Sequence, residues 1–101
     1  MIDATPDSDA DSQVTVGDQV RVRWRLDAPV DPGDVVINVG GTKKTGSDVS
    51  RTKVYVDGQW WWRYEAIFTL RQVYSVIEFS LQDAVNEIVD TAYIHARDQR
   101  T

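Results

Sequence analysis

The sequence predicts an all-β protein, an antiparallel β-sandwich of about seven short strands in a single domain. Three observations carry that reading. Apolar residues recur at every second position through most of the chain, whereas a helix would repeat them every three or four. Turn-forming pairs and triplets of Gly, Pro and Asp separate these runs at short intervals. The whole chain is 101 residues, enough for one small core and not for two. A small barrel is the competing closure, but alternation, as against unbroken apolar runs, favours two sheets that each keep one face in water.

The runs are taken in chain order. Residues 1–13, MIDATPDSDADSQ, have almost no apolar content after Ile2 and are expected to form a flexible acidic N-terminal arm, leaving 14–101 for the sandwich. Asp7, Asp9, Asp11 and Asp18 imitate the spacing of a calcium-binding loop. Ser12 stands where that loop needs Gly and no helix precedes it, so the reading is a solvated acidic tail. A short run at 14–16 ends at the turn Gly17-Asp18. Along 19–27, Val20, Val22, Trp24 and Leu26 share one parity and Arg21, Arg23 and Arg25 the other, which describes a half-buried strand with a charged outer face. DAPVDPG, residues 27–33, is a corner, and 34–40 is a strand with Val35, Ile37 and Val39 facing one way.

Residues 40–50 hold three of the six glycines and read as a loop that can fold over as a short edge segment. The phosphate-cradling order GxxxxGK[ST] is absent from it. A strand at 51–57 then meets Asp57-Gly58, a tight-turn pair between two extended runs. In the strand at 60–70, Trp60, Trp62, Tyr64, Ala66, Phe68 and Leu70 have the core parity, and Trp61, Arg63, Glu65, Ile67 and Thr69 the outer one. The three consecutive tryptophans are thus two objects: Trp60 and Trp62 are expected in the core and Trp61 outside, an assignment that a bulge would reverse. The strand at 73–81 is apolar on both parities and therefore expected to be central, and 88–97 closes the fold.

Composition excludes several function classes. There is no Cys, so disulfides, thiol catalysis and Cys-rich zinc sites are out of reach, and the one histidine, His95, reads as a surface residue of a strand. No nucleotide fingerprint or paired-acid motif occurs, and neither an enzyme nor a cofactor is expected. The net charge of -5 comes from the tail: four acids fall in the first twelve residues, leaving twelve acids against eleven bases. That balance argues against nucleic acid as the partner. Thirteen Asp against three Glu and eight Arg against three Lys fit a GC-rich or salt-adapted source. Neither a secretory leader nor a run near 18 apolar residues is read in the chain, so no membrane association is expected.

The succession VGDQVRVRW, DPGDVVINV, VYVDG, YEAIFTL, VYSVIEF and TAYIHAR, covering residues 14 to 97, resembles the small immunoglobulin-like structural proteins of tailed viruses, found in the head, its decoration and the head–tail neck. At the corner after Thr69 these proteins often carry Pro and then Gly, where this chain has Leu70, Arg71 and Gln72. The resemblance implies an immunoglobulin-like sandwich and a building block of the virion, assembled in the host cytoplasm, whose partners are other virion proteins or copies of itself. On that reading Trp61, Arg63 and Ile67, on one outer sheet face, form the partner interface, since Trp and Arg are enriched as interface anchors. The alternative is a carbohydrate-binding or adhesion module, with Trp61, and Trp60 or Tyr64 if a bulge turns them outward, stacking on sugar rings.

Overall fold

The computed structural model describes residues 4–6, 14–81 and 88–97. Eight strands make up the described chain: β1 (Ala4–Pro6), β2 (Gln19–Leu26), β3 (Val35–Val39), β4 (Thr42–Thr45), β5 (Ser50–Val56), β6 (Gln59–Thr69), β7 (Tyr74–Leu81) and β8 (Ile88–His95). They form two antiparallel sheets, β1-β2-β6-β5 and β4-β3-β7-β8. Written in immunoglobulin letters the order is A-B-E-D against C′-C-F-G, the constant-type arrangement with one strand added beside C. The expected all-β sandwich is therefore present, with eight strands in place of about seven.

The two strands that the sequence did not separate are both short edges. Within the segment expected to be an arm, Ala4–Pro6 pair with Leu26–Trp24 of β2, and Pro6, which has no N–H to donate, is tolerated because β1 lies at the sheet's edge. Asp7, Asp9 and Asp11 lie outside the described residues, and with them the imitation calcium loop. The run at 14–16 is a single parallel bridge, Thr15 beside Arg97, and not a strand of a sheet. Thr42–Thr45 turns back on β3 through Gly40 and Gly41, whose φ angles of 58° and 97° favour glycine.

Period two decides what the sandwich buries. Val22, Trp24 and Leu26 of β2, Val35, Ile37 and Val39 of β3, Tyr64, Ala66 and Phe68 of β6, and Ile77, Phe79 and Leu81 of β7 all point between the sheets and lose almost all contact with water. Leu70 follows them at the corner, tied down by backbone bonds from Leu70 N to Asp18 O and from Gly17 N to Leu70 O. Trp24 and Phe79 stack across the two sheets with ring centroids 5.2 Å apart. This contact joins strands B and F, which a disulfide joins in antibody domains.

Two further contacts hold the connections. The Tyr64 hydroxyl donates to the Val30 carbonyl and accepts from the Val30 N–H at 2.6 Å, fastening the 27–33 corner to the middle of β6. Asp31 then caps the turn Pro32–Asp34, its carboxylate accepting from Gly33 N at 2.9 Å. The β5–β6 hairpin turns at Asp57 and Gly58, both with positive φ (51° and 82°), as a two-residue type I′ turn requires.

Candidate functional site

The outer face of the first sheet collects the residues that the sequence singled out. Trp61, Arg63 and Ile67 share one side of β6, with Trp61 and Ile67 about 20 Å apart at the rise of an extended strand. Arg21, Arg23 and Arg25 of β2 stand opposite Ile67, Glu65 and Arg63, and Thr52 and Val54 of β5 stand opposite Arg63 and Trp61. Ile67 is 43% exposed, whereas Trp61 and Arg63 are half-buried. The cause at Trp61 is local: the Arg25 guanidinium lies over its ring, 5.1 Å from the centroid. Arg23 reaches Glu65 at 2.8 Å, and Arg21 approaches the same carboxylate at 3.9 Å. Arg21, Arg23, Arg25 and Arg63 thus share this face with Glu65, the first two against its carboxylate, so that a chain of net charge -5 carries a locally basic surface.

Trp60 is where the expectation and the structure part. Trp62 packs against the core, as its parity requires, but Trp60 is 56% exposed and fills no core. Parity is not the reason, since Trp60 keeps the inward side of β6. The reason is cover: among the described residues β5 packs substantially only against β6, so the far end of this hairpin presents its inward side to solvent.

That uncovered side holds a ladder that the tryptophan run alone did not reveal. Arg51, Lys53 and Tyr55 of β5 stand opposite Tyr64, Trp62 and Trp60 of β6. The Arg51 guanidinium lies 4.9 Å from the Trp62 ring, and the Lys53 ammonium lies 5.6 Å from Trp62 and 5.2 Å from Trp60. Tyr55, 60% exposed, meets Trp60 edge to face at 5.0 Å. Cations and ring faces therefore alternate along the hairpin, each pair contributing about 0.5–1 kcal/mol at such exposure. The signal was present in the sequence as RTKVY, whose alternation matches that of WWW across the Asp57-Gly58 turn.

No family model, no curated protein and no solved structure matches this chain.

A third surface lies on the opposite sheet. Tyr74 of β7 stacks on Tyr93 of β8 at 5.6 Å, and the His95 ring is 6.5 Å from Tyr74. Val76 faces Tyr93 across the pair, and Val73 and Val76 are exposed alongside. β7 is central in its sheet, as its apolar parities implied, yet its outer side is bare. The double apolar pattern thus marked a surface patch as well as a position in the sheet.

Two recesses differ in size and openness. One of about 90 Å³ beside the Leu70 corner, lined by Gly40, Thr42, Gln72 and Ser75, is well below the size of an ordinary small-molecule pocket. Another, open to solvent between Ser50 and Ile67, is crossed by Lys44, whose ammonium donates to the Ile67 carbonyl at 2.5 Å and lies over Phe68. Among the described residues no three His, Asp or Glu side chains gather as metal ligands, and no helix is long and apolar enough to cross a membrane. Burial raises the Tyr64 hydroxyl pKa above its ordinary value, against the lowering effects of its Val30 bond and the nearby Arg51.

Proposed function

We propose that this chain is a non-enzymatic structural module that works by protein–protein assembly, and, on the resemblance of residues 14 to 97, a component of a tailed-virus particle in head decoration or the head–tail neck. The observation that carries the assembly reading is a pair of outer faces on opposite sheets, each with an exposed apolar residue. One sheet offers Trp61, Arg63 and Ile67, and the other offers Tyr74, Val76 and Tyr93. Aromatic and arginine-rich patches of this kind supply interface anchors, and two of them on opposite sides allow one module to join two neighbours. The partners are other virion proteins or further copies of the chain.

Size-exclusion chromatography with light scattering, at low and at molar salt, tests this reading. A defined oligomer that Ile67→Asp or Tyr74→Asp disperses, with unchanged thermal melting, supports it. A monomer that also fails to bind particles lacking it counts against it. Trp60, with more than half its surface in water beside Tyr55, favours one other reading, a carbohydrate-binding or adhesion module. Binding on a glycan array that Trp60→Ala abolishes would select that second reading.

A further inference from the structure

We propose that the outer edge of β5 is a docking site for an extended acidic segment of a partner protein, added as a further strand with carboxylates at every second residue. The inference goes beyond the assembly reading, because it concerns a different surface and holds whether or not the sheet faces bury against neighbours.

Three observations combine here. First, among the described residues β5 is the last strand of its sheet and pairs only with β6. Its other side leaves a row of backbone N–H and C=O groups that a strand seven residues long can offer to another chain. Second, the side chains beside that row are cationic at period two. Arg51 and Lys53 are both exposed, and among the described residues neither is in a salt bridge. Arg51 is held in place by its bond to the Val30 carbonyl at 3.2 Å and by Trp62, and Lys53 by Trp60 and Trp62. A ring face engages an ammonium from one side only, so Lys53 keeps donors for a carboxylate. Third, the opposite side of β5 presents Thr52, Val54 and Val56.

The geometry then specifies the occupant. An added strand lies about 4.8 Å from β5, and its alternate residues are about 6.6 Å apart, matching the spacing of Arg51 and Lys53. Asp or Glu at every second position would meet those cations, and β-branched residues between them would lie beside Thr52 and Val54. The same charges discourage β5 from pairing with the β5 of another copy in register, since cations would then face cations. The edge therefore rejects its own kind and accepts an acidic strand. Arginine and lysine held on indole faces lose less rotamer freedom on binding than free surface cations do.

The test uses the full chain and a short synthetic peptide in which Asp alternates with Thr and Val. Binding is followed by tryptophan fluorescence and by amide shifts at residues 51–55. The expected result is saturable binding that weakens roughly tenfold or more with Asn in place of Asp, and by a similar factor in Lys53→Glu, which circular dichroism shows still folded although its melt falls with the two ring contacts it loses. Methylating the peptide backbone nitrogens along one edge should abolish binding, and along the other edge should leave it. Equal affinity for the Asn peptide, indifference to Lys53→Glu, or indifference to both methylations would each overturn the proposal. So would a failure of the peptide to bind while oligothymidylate or a polyuronate binds the same ladder.

Discussion

Trp24 on β2 lies almost flat on Phe79 of β7, their planes 16° apart, and this stack joins the two sheets at the centre of the core. Both rings are fully buried. Truncating Trp24 to Ala removes the larger ring from a site closed to solvent, so a loss of about 3–5 kcal/mol is expected in denaturant melts. Trp24→Phe should cost distinctly less than Trp24→Ala. Among the described residues the buried indole N–H has no hydrogen-bond partner, so Phe gives up area but no polar contact. A loss below about 1 kcal/mol for the alanine variant would contradict the placement of this stack at the core.

Tyr64 supplies a pH test. Its hydroxyl serves Val30 as both donor and acceptor, and burial raises its pKa above the ordinary tyrosine value near 10. The folded chain therefore holds this proton more tightly than the unfolded chain does. Between about pH 10 and the raised value unfolding releases the proton, so the stabilisation is complete below about pH 10 and declines above it. Tyr64→Phe should cost about 1–3 kcal/mol at neutral pH through the two unmet Val30 groups. The gap between parent and variant in urea melts should narrow above about pH 10.

The uncovered end of the β5–β6 hairpin makes neighbouring tryptophans unequal. Trp60→Ala should cost about 1–2 kcal/mol, because the exposed Trp60 ring gives up its contacts with Tyr55 and Lys53. Trp62→Ala should cost more, since Trp62 packs on the core and carries Arg51. Equal losses at the two positions in thermal melts would contradict the difference in cover.

The turn of the same hairpin is a backbone test. Gly58 has φ of 82° and open space where a Cβ would lie, so Gly58→Ala meets conformational strain and no clash. A loss of about 1–2 kcal/mol is expected. A larger loss would mean that the turn rearranges, which amide chemical shifts at Asp57 and Gln59 would detect.

Trp61 separates folding from assembly. Its ring is half-buried under Arg25 on an outer face, so Trp61→Ala should leave a folded monomer while weakening any oligomer. Unfolding of the isolated chain by this change, seen by circular dichroism, would place Trp61 in a structural role.

Period two by itself determined the sandwich, its parities and most of the core. Val22, Trp24, Leu26, Ile37, Tyr64 and Phe68 are buried because their parity leaves them no other side. Asp57-Gly58 was legible as a turn because few residue pairs tolerate two successive positive φ angles. The outer face with Trp61, Arg63 and Ile67 was legible for the same reason as the core, being its complement. Exposure was not, because parity states which side a residue faces and not how far the opposite layer extends. Trp60 shares the parity of Tyr64 and is bare, since none of the described residues of the opposite sheet covers the end of the β5–β6 hairpin. The pairing of Ala4–Pro6 was equally hidden, for a three-residue edge depends on a free side of β2 that only the assembled sheet provides. The cation–aromatic ladder joins residues brought into register by a turn, and the Tyr64–Val30 bond joins residues 34 apart in sequence. Local alternation determined the faces, and the three-dimensional extent of each sheet decided which of those faces remain open to a partner.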